Sequence, residues 1–124
     1  MINIKILVVD DSSTTRKIIK NTLEKIGFGN VIEAENGVVA LQKLEEGDFS
    51  LILTDWNMPE MDGLTFIREV KHNQELNHIP IVMITTESAH EEVVEALKEG
   101  IEDYIVKPFT VDDLQKKLER ILFK

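Results

Sequence analysis

The chain has 124 residues, no cysteine, and 14 basic against 23 acidic side chains, for a net charge of -9. One domain with a real hydrophobic core fits this length, and disulfide staples and thiolate metal sites are excluded. The acidic balance argues against nonspecific nucleic-acid binding and a basic membrane anchor, and no apolar run approaches the ~18 residues of a membrane span.

An apolar run from Ile6 to Val9 predicts the first strand. Ser12 or Ser13 then caps a helix carrying Ile18, Ile19, Leu23 and Ile26, stopped by Gly27. Val31-Ile32 predicts a short second strand, followed by a helix over 37–46 with Val38, Leu41 and Leu44. Leu51 to Leu53 reads as the third strand, and a helix over 63–72 carries Leu64, Ile67 and Val70. Ile79 to Ile84 gives the fourth, with a helix over 89–99 carrying Val93, Ala96 and Leu97. Tyr104 to Val106 gives a short fifth strand, and a helix over 110–123 carries Val111, Leu114, Leu118 and Ile121.

Near-continuous Ile, Val and Leu in runs one, three and four suit strands covered on both faces, and the two shorter runs suit the sheet edges. Five βα units joined by right-handed crossovers predict an α/β parallel sheet with helices on both faces. Ligand sites of such sheets lie at the carboxyl ends of the strands. At those ends stand Asp10-Asp11, Asp55, Thr85 and Lys107. Taken singly they read as a capping pair, a turn residue, a strand-end hydroxyl and a surface lysine. If the first and third strands are neighbours, three of these carboxylates converge on one cleft, where like charge is costly unless a hard cation such as Mg²⁺ relieves it.

Val8-Val9-Asp10-Asp11-Ser12, Asp55-Trp56-Asn57-Met58-Pro59 with Met61-Asp62-Gly63, Ile84-Thr85, and Tyr104-Ile105-Val106-Lys107-Pro108-Phe109 follow one another along the chain. In order and spacing this resembles the receiver domains of two-component response regulators, over essentially all of 1–124, and most closely their single-domain chemotaxis branch. The resemblance implies a flavodoxin-like (βα)5 fold with strand order 2-1-3-4-5. It implies that Asp55 accepts a phosphoryl group from a sensor histidine kinase or a small donor such as acetyl phosphate. Asp11, Asp55 and the Asn57 carbonyl would hold Mg²⁺, with Asp10 acting through a water. Lys107 and Thr85 would contact the phosphoryl oxygens, and the Lys107-Pro108 bond would be cis. Asn57 and Glu87 would tune the lifetime of the phosphorylated state, and Thr86, bulkier than the small residue usual there, would narrow access.

The same resemblance implies a switch in which Thr85 moves towards the phosphoryl group and Tyr104 turns inward. The face carrying His90, Lys117 and Arg120 would then meet a flagellar motor switch protein, and a phosphatase could end the signal. The expected protein is a cytoplasmic monomer in chemotaxis, a signalling protein whose only catalysis is its own phosphorylation and dephosphorylation. Two other readings differ in class. A haloacid-dehalogenase-type phosphatase would want a second acid where Asn57 stands, and a never-phosphorylated binding module would lack the acceptor, lysine or metal acids. His72 and His78 read as surface residues, Trp56 as a partly exposed reporter, and Met58 and Met61 as fillers.

Overall fold

The computed structural model describes residues 2–58, 60–86 and 90–123. Strands β1 (Ile2–Val9), β2 (Phe28–Ala34), β3 (Leu51–Thr54), β4 (Ile81–Thr85) and β5 (Asp103–Val106) alternate with helices α1 (Ser13–Ile26), α2 (Gly37–Leu44), α3 (Gly63–Lys71), α4 (His90–Lys98) and α5 (Val111–Leu122). They form one parallel sheet in the order β2-β1-β3-β4-β5, as the resemblance implies.

Strand periodicity sorts the core into two layers, because successive side chains leave a strand on opposite faces. Ile6, Val8, Leu51, Leu53, Val82 and Ile84 meet Ile19 and Leu23 of α1 and Leu114 and Leu118 of α5. The alternating set Leu7, Val9, Ile52, Ile81 and Met83 meets Ala40 of α2, Phe66, Ile67 and Val70 of α3, and Val93 and Ala96 of α4. Every residue of β3 and β4 is buried, which is why both read as unbroken apolar runs.

Helix ends follow side-chain chemistry. Ser12, Asn36, Asp62 and Thr110 accept backbone N–H bonds as N-caps, each stabilising by about 1 kcal/mol. Thr110 and Asp113 complete a reciprocal capping box. α1 stops at Gly27, whose φ of 116° is left-handed and whose N–H returns to Leu23 and Glu24.

The sheet departs most from the sequence reading at β2, β1 and β4. β2 runs from Phe28 to Ala34 rather than over two residues, because pairing with β1 needs only its backbone and leaves Gly29 and Asn30 exposed at the edge. β1 likewise extends back to Ile2. β4 begins at Ile81, since Pro80 has no N–H, although its carbonyl accepts from Ile52. Ile18, Val38, Leu97 and Val111, expected on core faces, are exposed at the margins of their helices' apolar stripes, Ile18 most of all at 57%.

Candidate functional site

β1 and β3 are hydrogen-bonded neighbours with Val9 opposite Thr54, so the residues that follow each, Asp10 and Asp55, emerge side by side. The Asp55 N–H donates to the Val9 carbonyl at 3.0 Å, and the Asp10 N–H to Ala34 at 3.1 Å. Asp11, next along the chain, completes a cluster in which one carboxylate oxygen from each acid lies within 4.8 Å of the others. It is the one such cluster among the described residues.

Each acid has a different environment. Asp10 is only 2% exposed; its Oδ1 accepts the Ser12 N–H at 2.8 Å, and its Oδ2 is buried with no partner. Burial holds its carboxyl above the usual value of 3.8, the Ser12 N–H pulls it back, Asp55 raises it again, Lys107 lowers it and Asp11 raises it. Burial also raises Asp55, opposed by the Trp56 N–H and by Lys107, while Asp11 adds repulsion and the Asn57 N–H lowers it. Asp11 is exposed. A buried, unpartnered carboxylate oxygen in an all-carboxylate cluster fits a hard divalent cation such as Mg²⁺, which prefers oxygen ligands.

The acceptor loop is held by backbone contacts. The Trp56 N–H donates to Asp55 Oδ1 at 2.7 Å, and the Thr54 hydroxyl to the Asp55 carbonyl at 3.0 Å. The Gly63 N–H reaches the Trp56 carbonyl at 2.7 Å, so α3 begins directly against this loop. A Cβ at Gly63 would lie 2.6 Å from the Asp55 carbonyl oxygen and 2.7 Å from the Trp56 Cα, both backbone atoms that cannot swing away. Trp56 is half-buried, as a reporter beside the site should be.

Lys107 and Thr85 stand at the same edge. The Lys107 N–H donates to the Thr85 carbonyl at 2.6 Å, and the Lys107–Pro108 bond is cis. The Lys107 charge lowers both Asp10 and Asp55. Thr85 is buried, and its hydroxyl makes a long 3.3 Å bond to the Thr86 carbonyl. A groove of about 200 Å³ beside it is lined by Thr85, Thr86, His90, Val93, Tyr104 and Val106. The structure thus brings together Asp10, Asp11, Asp55, Thr85 and Lys107, and places His90 beside Tyr104. Asn57 is exposed, and Glu87 lies outside the described residues.

Three side chains bear on the site in ways the sequence reading did not anticipate. Arg16 of α1 donates from one Nη to the Asp10 carbonyl at 2.6 Å and from Nε to Glu33 of β2 at 3.0 Å, tying down the turn that carries two acids. Glu92 of α4 is raised by burial and then by Asp55, so a fourth acid lies within electrostatic reach of the acceptor. Asp103 of β5 pairs with Lys117 at 3.0 Å and with Arg120 at 3.7 Å. The basic pair expected to stand ready for a partner is therefore engaged within the chain.

The model of the response regulator receiver domain family matches residues 6–119. The chain is 48% identical over 119 residues to chemotaxis protein CheY-3 of Vibrio cholerae, covering 96% of this chain and 92% of that protein. It is 54% identical over 119 residues to chemotaxis protein CheY1 of Helicobacter pylori, covering 95% and 96%. Among solved structures, Vibrio cholerae CheY4 superposes with a TM-score of 0.87 at 37% identity, over 96% of this chain and 98% of that one. The receiver domain of a Pseudomonas aeruginosa sensor histidine kinase, with a magnesium ion coordinated in its active-site cleft, gives 0.86 at 28% identity over 96% and 97%.

Proposed function

Because the chain belongs to the response regulator receiver family of two-component signalling, we propose that it is a Mg²⁺-dependent phosphoacceptor switch with Asp55 as the acceptor. The observation that carries this reading is the convergence of Asp10, Asp11 and Asp55, with Lys107 close enough to lower two of them. Asp11, Asp55 and the Asn57 carbonyl would hold Mg²⁺, with Asp10 acting through a water; the buried Oδ2 of Asp10 supports a further polar partner there. When bound, Mg²⁺ offsets charge that builds on the phosphoryl oxygens during transfer.

The side chains divide the remaining work. The Trp56 N–H fixes the rotation of the Asp55 carboxylate. A carboxylate oxygen attacks phosphorus in line, an O–P bond forms, the N–P bond of a phosphohistidine breaks, and its electron pair returns to the imidazole, which takes up a proton. Lys107 adds a second positive charge facing the transferred group. The Thr85 hydroxyl exchanges its long bond to Thr86 for a phosphoryl oxygen, since the new acceptor is charged and the old one is not. That movement opens the groove beside Tyr104, which turns inward and reshapes the face of α4, β5 and α5. Asn57 and Glu87 set how readily water reaches the acyl phosphate.

The chemotaxis names of the relatives support a sensor histidine kinase of the chemotaxis type as donor and a flagellar motor switch protein as partner, with a phosphatase to end the signal. His90, Lys117 and Arg120 line the partner face. The protein works as a cytoplasmic monomer; among the described residues no helix is long and apolar enough to cross a membrane. The test is labelling by radioactive acetyl phosphate with Mg²⁺. The wild type should take up label that hydroxylamine removes, and Asp55→Asn, nearly isosteric, should fold normally and take up none. Equal labelling of that variant, or label that survives hydroxylamine, rejects Asp55 as acceptor.

A further inference from the structure

We infer that Asp103 is a latch that holds Tyr104 outward, acting through Lys117; the inference rests on the switch reading above and adds a residue that opposes it. Asp103 Oδ1 accepts two bonds, from the Tyr104 N–H at 2.7 Å and from Lys117 Nζ at 3.0 Å. Its other oxygen lies 3.7 Å from Arg120. The Lys117 ammonium, pinned in this way beside the backbone of Tyr104, sits 5.2 Å from the centre of the Tyr104 ring, in cation–π range. Lys117 and Asp103 are both largely withdrawn from water, at 26% and 19% side-chain exposure, so this pair is screened less than an ordinary surface pair.

Tyr104 stands between two concavities. On one side lies a charged groove formed with Asp113, Lys116, Lys117 and Arg120. On the other lies the groove beside Thr85, lined also by Thr86, His90, Val93 and Val106. Turning the ring inward carries it away from an ammonium that cannot follow, because the carboxylate holding that ammonium is anchored to the amide of Tyr104 itself. The ring therefore pays the cation–π contact to move, and the outward state gains about two- to fivefold in population from it. Sequence spacing does not reveal the device, since its parts come from β5 and from α5.

Tyr104 is the single tyrosine of the chain, so its ring gives one unambiguous NMR signal after labelling with ¹³C-tyrosine. We would follow that signal in Mg²⁺ with and without beryllofluoride, a stand-in for the phosphoryl group, in the wild type, Asp103→Asn and Lys117→Gln. Without beryllofluoride, both variants should shift towards the wild-type beryllofluoride position, reflecting a two- to fivefold rise in the inward state. Arg120→Gln should move the signal less than either, because Arg120 is the longer-range partner. A wild type that responds to beryllofluoride, with variants whose unliganded signals coincide with its own, overturns the latch alone. A wild-type ring that ignores beryllofluoride overturns the switch reading, and the latch with it.

Discussion

Asp10→Asn is expected to stabilise the metal-free protein, although it alters a buried residue of the site. Asp10 keeps one oxygen on the Ser12 N–H and leaves the other buried among acids without a donor. At 4.8 Å, two unit charges repel by about 3.5 kcal/mol at an effective dielectric of ~20 and by about 0.9 kcal/mol in bulk water. Half-buried Asp55 lies towards the first figure and exposed Asp11 towards the second, so removing the Asp10 charge relieves about 4 kcal/mol gross. The lost attraction to Lys107 offsets part of this, leaving roughly 1–3 kcal/mol, or about 4–12 °C in Tm for a chain of this size. The asparagine oxygen can still accept from Ser12, and its amide can donate to the neighbouring carboxylates.

The sign with pH follows from the raised carboxyls. Above the usual 3.8 the unfolded chain releases protons that native Asp10 and Asp55 still hold, so wild-type stability falls as pH climbs from 3.8 through their raised values. The gain from Asp10→Asn should be full at neutral pH, disappear below 3.8, and shrink when Mg²⁺ is supplied. Thermal melts by circular dichroism in chelator, repeated across pH and with Mg²⁺, read all three effects. A lower Tm for the variant at neutral pH in chelator, or a gain that persists unchanged in acid, would refute the repulsion argument.

Two further substitutions test how the site is held. Gly63→Ala should cost about 2–4 kcal/mol and shift Trp56 emission, because the new methyl meets immovable backbone at the acceptor loop; an unchanged melt contradicts the close approach. Arg16→Ala should weaken the Mg²⁺ response of Trp56 fluorescence about tenfold, as loss of a supporting contact does at metal sites. Arg16→Lys should restore only part of it, since lysine lacks the fork that serves Asp10 and Glu33 together. An identical titration in the alanine variant removes Arg16 from the support of the site.

The site was legible in sequence because each of its groups stands where an apolar strand ends. Asp10, Asp55, Thr85 and Lys107 all mark such endings, and the structure gathers them at one edge of the sheet. Strand order was not legible from periodicity and came with the family resemblance. β2 was under-read because an edge strand can carry Gly29 and Asn30 without loss of pairing. The roles of Arg16, Asp103 and Glu92 escaped for another reason: each looks like an ordinary solvated charge until a charge from a distant element is brought near it. Asp103 matters most here, since it changes Lys117 and Arg120 from a free basic pair into an engaged one.

Both outer strands of the sheet carry one carboxylate bridged to a cation from a helix of the same layer, Glu33 of β2 to Arg16 of α1 and Asp103 of β5 to Lys117 of α5. An open strand edge is a template on which another chain can extend the sheet, and charge placed there is a common defence. A foreign strand laid against either side would have to desolvate or break an ion pair before its first backbone bonds formed. The arrangement therefore guards the fold against edge-to-edge aggregation at both of its open sides, and loss of either carboxylate should show first as slow association at high protein concentration.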